Sequence, residues 1–406
     1  MRKVLQINVT SNWGSTGKIA EQIGNLVQAK GWDSYIAYGR YSNPSTSFAI
    51  KIGNQFDVYE HYFENVFFDN EGLASRYATK RLVQTVKKIN PDIIHLHNIH
   101  DHYLNYPILF KSLAKLNKPV VWTQHDCWAF TGGCPYYSMS KCDKWLSGCE
   151  NCPLRISKID RRNTHYRLRK SLFTNISNLT LVPVSKWLEG ELHKSFLKDC
   201  AVVLIYNGID INVFRPTRDS EVRAHYNIGN RQYVIAVASV WDTRKNLKDY
   251  IKLAENSHSL TIVLVGLTEK QSQNLPDNII AIPRTQNAHD LAALYSGAFA
   301  VLNLSLEETF GLTTAEGMAC GTPAIVYDCT ASPELVTSNT GCVVREGDVI
   351  GLANTIKWLQ KNPLFSVDCR KRAEDFLIRK SALRSILSYT KVYYYNCDEN
   401  DRFVEI

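Results

Sequence analysis

Short apolar runs alternate with longer amphipathic stretches along most of this 406-residue chain, and that alternation constrains the fold more than any other feature. Runs at residues 4–9, 34–38, 93–96, 120–123, 179–184 and 202–206 have strand length, and helical patterns separate them. A second series follows at 233–240, 260–265, 279–282, 298–304 and 324–327. Strands buried on both faces by crossover helices read as continuous apolar runs, so the pattern predicts two doubly wound α/β domains. The length agrees, because a single core rarely grows beyond about 250–300 residues. A turn-rich link, Tyr206-Asn207-Gly208-Ile209-Asp210 with Phe214-Arg215-Pro216, marks the break between the two series.

Ligands of open α/β sheets bind outside the carboxyl ends of the strands, so the loops there are where chemistry is sought. The run 299–304 leads into Leu306-Glu307-Glu308-Thr309-Phe310-Gly311, and a compact helix is expected over 312–319, closed by Cys320-Gly321 and Pro323. Glu308 therefore sits on the loop. Gly311 permits a close backbone approach, and the amides of Leu312, Thr313 and Thr314 at the helix start favour an anion such as a diphosphate. Glu316 lies about one turn further on, within reach of a neighbouring part of the same ligand. The plainer reading of the two carboxylates is a solvated acidic loop and a helix-dipole contact.

The spacing Glu308 to Glu316, with Phe310-Gly311 between them and Met318-Ala319-Cys320-Gly321-Thr322-Pro323 after them, resembles the E-x7-E signature of glycosyltransferase family 4, the retaining transferases of GT-B fold. The link at 207–216 resembles that family's hinge. The resemblance implies an α/β GT-B architecture: two Rossmann-like doubly wound domains facing an interdomain cleft. An acceptor-side domain would span 1–206 and a nucleotide-sugar-binding domain 217–380, with a C-terminal helix within 381–406 crossing back to the first domain. It implies a retaining transfer of a sugar from a nucleotide-diphosphate sugar, a UDP- or GDP-sugar, to a hydroxyl of a glycan or polyprenyl-diphosphate-linked acceptor in bacterial capsule, exopolysaccharide or lipopolysaccharide synthesis. Glu308 would bind donor-sugar hydroxyls, Glu316 the ribose, and the amides between them the diphosphate. Family members usually carry G-R-L-x4-K after the first strand of the second domain. Lys245 matches the lysine, Val240 stands where the arginine would be, and Arg244 is the candidate substitute. Thr330-Ala331-Ser332-Pro333-Glu334 resembles a further family segment with its glycines lost. No Asp-x-Asp metal motif is visible, so no cofactor is expected for catalysis. A nucleotide-sugar epimerase of the same architecture, a two-carboxylate glycosidase and a zinc-containing nucleic-acid-binding protein are the alternatives, although nucleic acid is not an expected partner.

In the first domain, Asn12-Trp13-Gly14-Ser15-Thr16-Gly17-Lys18 follows the first strand and opens a helix expected over 19–29. It is not a P-loop, since Asn12 replaces the first glycine and Ile19 the Ser or Thr. Gly14 and Gly17 either approach donor phosphates, as the resemblance implies, or merely satisfy a tight turn. His95 and His97 alternate on a strand and share a face, which invites a metal assignment. A strand end lining a cleft is the better account, and His125, after the strand 120–123, resembles the family histidine that approaches the donor sugar.

Cys134, Cys142, Cys149 and Cys152 lie in an insertion over about 127–153 that is too long to be only a connection. Four thiols ending in C-x2-C suit a structural zinc, but packed thiols and disulfides remain open alternatives. The cluster resembles an insertion of a polysaccharide-assembly branch of the family. Lys plus Arg outnumber Asp plus Glu by 47 to 39, with a concentration over 155–170, which suggests either a solvated helix face or docking to an anionic membrane. Met1-Arg2-Lys3 precedes only a strand-length apolar run. Neither a signal peptide nor a membrane span is expected, and the expected location is the cytoplasm, at the inner face of the membrane.

Overall fold

The computed structural model describes residues 1–377 and divides into two compact units, Met1–Tyr206 and a second beginning at Asn207. The first unit holds seven strands: β1 (Lys3–Asn8), β2 (Asp33–Tyr38), β3 (Phe48–Lys51), β4 (Ile93–Leu96), β5 (Val120–Gln124), β6 (Leu179–Pro183) and β7 (Ala201–Val202). They form one parallel sheet in the order β3-β2-β1-β4-β5-β6-β7. The second unit holds β8 (Tyr233–Val237), β9 (Thr261–Val265), β10 (Ile279–Ile282), β11 (Ala300–Asn303), β12 (Ala324–Tyr327) and β13 (Gly341–Val344), parallel in the order β10-β9-β8-β11-β12-β13. Strand order therefore reverses between β1 and β4 and again between β8 and β11. At such a switch point the loops leave in opposite directions and open a crevice for a ligand.

The two strands that the apolar pattern does not reveal, β3 and β13, are both sheet edges. Phe48 and Val343 stand exposed there, so an edge does not demand a continuous apolar run. At the other edge, β7 is shorter than the expected 202–206. The chain still runs beside β6, with Val203 N–H donating to Leu181 O at 2.9 Å and Ile205 N–H to Pro183 O at 3.1 Å. The expected helix over 381–396 lies outside the described residues.

Helix α1 begins at Gly14 (Gly14–Ala29), five residues before the expected start at Ile19, so most of the supposed glycine loop is the helix's first turn. Gly14 has φ +65° with open space around it. Gly17 is inside the helix, and a Cβ there would lie 2.6 Å from Thr10 Oγ1. Its lack of a side chain lets α1 close onto the end of β1, which is a packing reason for the residue.

Two further helices have unusual faces. In α2 (Gln55–Phe68) the buried residues are His61 and Asn65, while Phe56, Tyr59, Tyr62, Phe63, Phe67 and Phe68 are exposed. The imidazole of His61 accepts from Gly72 N–H (2.9 Å) and pairs through Nδ1 with Ser75 Oγ (2.8 Å), which joins α2 to the start of α3 (Arg76–Ile89). Exposed on α3 are Arg76, Tyr77, Lys80, Arg81, Gln84, Lys87 and Lys88, and the helix contains no acidic residue. The basic stretch at 155–170 is solvated only in part: Arg155, Lys158, Arg167 and Lys170 are exposed, but two of its arginines are not. Arg162 and Arg169 are buried in ion pairs with Asp69 and Glu71, at 2.9 and 2.8 Å. Among the described residues no helix is long and apolar enough to cross a membrane.

Candidate functional site

Each switch point gathers buried polar side chains. In the second unit Glu308 follows β11 and Lys245 follows β8, so the two strands flanking the reversal bring them together. The Lys245 ammonium donates to Glu308 Oε1, and Ser305 Oγ donates to the same oxygen at 3.1 Å. Burial raises the Glu308 carboxyl, yet the cations of Lys245 and Arg244 outweigh it and hold the group below the usual glutamate range. Arg244 reaches the Glu307 carbonyl (3.3 Å) and Asp242 (3.5 Å), while Val240 is 65% exposed. Thus Arg244, not Val240, brings the second positive charge to this loop.

The backbone of Glu308 is clamped. Thr330 Oγ1 accepts from Glu308 N–H (2.8 Å) and donates to Glu308 O (2.7 Å), and Ala331 N–H donates to that carbonyl at 3.1 Å. Thr330 has φ +48°, a strained conformation for a β-branched residue. Beyond the loop, the helix Leu312–Ala319 starts on Gly311, whose φ of +95° suits glycine and which supplies no side-chain cap to the first amides. Leu312 and Thr313 thus open the helix as expected. Phe310 turns its ring into the core, edge-on to Phe376 with centroids 5.4 Å apart, so only its backbone borders the loop. Glu316 is half-buried and accepts a long 3.4 Å hydrogen bond from Tyr295.

In the first unit His125 follows β5, beside the ends of β4 and β1. Gln6 Nε2 donates to Ala20 O (2.8 Å), which leaves its Oε1 to accept from His97 Nε2 at 3.0 Å. That fixes the His97 tautomer, so Nδ1 of His97 accepts from His125 Nε2 at 3.1 Å. Burial pushes His125 down to about 4, against a smaller upward pull from Asp126, and burial with His125 nearby takes His95 to about 3. His97 is driven well below the ordinary value by burial and by its two imidazole neighbours. A chain of neutral imidazoles is arranged for hydrogen bonding; it is not a row of cations. His100 differs: burial opposes its charge, but Asp126 at 2.8 Å raises it, and its ring stacks on Trp128. Trp128 N–H also donates to Asp126 Oδ1 (2.9 Å), while the Trp128 indole donates to Glu71 (2.9 Å) beneath the Arg169 guanidinium.

The family model described as Glycosyltransferase Family 4 matches residues 17–213, and that described as Glycosyl transferases group 1 matches residues 219–376. The chain belongs to glycosyltransferase family 4. The Escherichia coli (strain K12) protein named as colanic acid biosynthesis glycosyl transferase WcaC is 22% identical over 87% of this chain and 90% of its own length. Among solved structures, sucrose-phosphate synthase from Thermosynechococcus elongatus superposes with a TM-score of 0.71 at 18% identity, covering 98% of this chain and all of the other. Anabaena HepE in complex with UDP-glucose gives 0.67 at 15% identity, covering 96% and 100%. These neighbours establish the GT-B fold.

Against the family pattern, the structure brings Lys245, Arg244 and Glu308 together and sets Gly311, Leu312, Thr313 and Glu316 on the adjoining helix. His125, Gly14 and Gly17 belong to the first unit. Sequence reasoning missed Thr330, Ser305, Gln6 and His100. Thr330 carried the one available signal, since it opens the segment likened above to a family motif.

Proposed function

We propose that this glycosyltransferase moves a sugar from a nucleoside-diphosphate sugar to a hydroxyl of a glycan or lipid-linked acceptor, with retention of anomeric configuration. The observation that carries the reading is the ion pair of the buried Glu308 with the partly buried Lys245 at the second switch point, next to the uncapped start of the helix Leu312–Ala319. A carboxylate kept ionised by its neighbours accepts hydrogen bonds from donor-sugar hydroxyls, which is the role assigned to Glu308. The amides of Leu312 and Thr313 with Gly311 receive the diphosphate, the Thr314 N–H being already given to Gly311 O at 3.0 Å, and Glu316 receives the ribose. As the sugar–oxygen bond breaks, negative charge grows on the leaving phosphate while Lys245 and Arg244 lie ready to stabilise it. The departing phosphate then takes the acceptor proton on the same face. Positive charge supplied by side chains leads to the expectation that transfer proceeds without a divalent cation. His125, neutral at physiological pH with its Nε2 hydrogen given to His97, can serve the sugar only as an acceptor, through Nδ1. The UDP-glucose complex of HepE and the name of WcaC support a nucleotide-sugar donor and a place in bacterial polysaccharide assembly.

The deciding experiment is Glu308→Gln. Nucleotide binding should stay near normal while transfer falls on the order of 100-fold or more, as expected when a group tuned to the transition state is lost. Unchanged turnover would sink the assignment, and conversion of the donor to another sugar without acceptor would make the enzyme an epimerase.

The acceptor reading extends to a surface. The exposed aromatics of α2 and the acid-free, lysine- and arginine-rich face of α3 fit an anionic lipid bilayer, with rings in the interface and each nearby Lys or Arg adding about 1 kcal/mol. Sedimentation with phosphatidylglycerol vesicles should capture the protein, whereas phosphatidylcholine vesicles and Phe63→Ser/Phe67→Ser should not. Equal behaviour of the variant, or a dimer dissolved by it, would overturn this surface assignment.

A further inference from the structure

The Cys-rich loop contains a cluster that glycosyl transfer does not use. Over residues 127–153 the only regular structure is three short 3-10 turns, Trp128–Phe130, Ser138–Ser140 and Lys144–Leu146. Part of the loop is held by aromatic packing, with Trp145 about 5 Å from both Phe130 and Tyr137 (5.1 and 5.0 Å between ring centroids). Against that packing, Cys134, Cys142, Cys149 and Cys152 all line one cavity of about 20 Å³, together with Thr131, Tyr137 and Trp145. None of the four is in a disulfide. A space of that size admits a single water-sized body.

We propose that this cavity is a tetrahedral zinc site with four cysteine ligands that pins the loop. An all-sulfur donor set ending in C-x2-C selects zinc among common divalent ions, and four thiols lining one cavity from separated points of one irregular loop are the donor set that a structural site needs. Gly132 N–H already donates to Cys149 Sγ at 3.1 Å, a contact that favours the thiolate. As the side chains stand, Cys134 donates its thiol hydrogen to Tyr136 O at 3.1 Å, and no three ligating groups among the described residues close on one point. Zinc at about 2.3 Å from each sulfur draws them inward as the four thiol protons leave to solvent. The loop's backbone is tied to what lies beneath it. A Cβ at Gly132 would meet Arg162 O and Cys149 Cβ, both at 2.6 Å, so the glycine lets the cysteine loop sit directly on the arginine that pairs with Asp69. The loop starts at Cys127, immediately after Asp126, and Trp128 N–H holds that carboxylate. The metal is therefore a positioning element for the His125-Asp126 corner and takes no part in bond breaking.

The test is metal content and coordination in the full-length protein purified without chelators. Elemental analysis should give about one zinc per chain, released by a mercurial reagent, and Glu308→Gln should keep it. Cobalt-substituted wild-type protein should show thiolate-to-cobalt charge-transfer bands and the intense visible bands of a tetrahedral sulfur site. Cys149→Ser/Cys152→Ser should lose both the metal and the spectrum. The cobalt readout on wild-type protein stands even if that variant fails to fold. Four alkylatable thiols without zinc, disulfides in the freshly isolated protein, or iron in place of zinc would each overturn the proposal.

Discussion

Both units carry buried ionisable groups at the point where their sheet reverses, yet the two sites solve opposite problems. At the first, burial wins: His95 and His125 are pushed to about 3 and about 4, and the imidazoles stay neutral on a ladder running back to Gln6. At the second, charge wins: Lys245 and Arg244 keep Glu308 ionised despite its burial. The difference follows from the neighbours. An imidazole surrounded by other imidazoles gains nothing by protonation, whereas a carboxylate beside an ammonium is better charged. One architecture can therefore offer a neutral hydrogen-bonding wall and a charged grip at equivalent places.

Acid should separate the two units most strongly. Five first-unit histidines, His61, His95, His97, His125 and His165, have folded-state values lowered by burial. Above about pH 6.5 both folded and unfolded forms are neutral and nothing is lost. As pH falls from there toward about 4, only the unfolded chain takes up protons, so stability drops, by about 3 kcal/mol for His125 alone. His100 opposes this, because its raised value adds stability below about pH 6.5. Glu308 contributes stability above the ordinary carboxylate range and loses it only at lower pH. Pulse proteolysis along a pH series should therefore cleave the first unit while the second is still protected. Simultaneous loss, or earlier loss of the second unit, would break the contrast.

Next in size is removal of the cation. Lys245→Ala leaves Glu308 buried without its partner, which should cost about 3–5 kcal/mol of stability. Transfer should slow on the order of 100- to 1000-fold. The double variant Lys245→Met/Glu308→Gln separates the two losses. Most of the stability should return, because no lone charge is buried, while activity stays low. Denaturant melts with initial-rate assays on the three proteins measure both, and recovery of activity in the double variant would refute the charged-grip account.

What sequence could reveal divides along similar lines. The apolar runs marked every central strand, because a strand covered on both faces is built mostly of apolar residues; the edges β3 and β13 escaped because solvent relaxes that demand. Glu308, Gly311 and Glu316 were legible since one loop and one helix carry them at fixed spacing. His97 with Gln6, Glu71 with Arg169, and Thr330 with Glu308 were not. Each pair is joined by the fold across many residues, and neither partner alone differs from an ordinary polar side chain. The arginines at 162 and 169 illustrate the opposite error: composition gave them to solvent, while buried carboxylates hold them.

Thr330 offers the smallest and sharpest test. Its hydroxyl is paired with both the N–H and the carbonyl of Glu308, so Thr330→Val, of nearly the same shape, leaves the N–H without that partner and the carbonyl with Ala331 N–H alone, at a cost of about 1–3 kcal/mol. The carboxylate and Lys245 remain, so nucleotide affinity should hardly change. The loop, however, would no longer present Glu308 in one position, and kcat should fall about tenfold while KM for the donor moves little. Thr330→Ser keeps the hydroxyl and relieves the crowding of a β-branched residue at positive φ, so it should restore the rate. If the serine variant were as slow as the valine one, the hydroxyl would have no positioning role, and the strained backbone at Thr330 would need another cause.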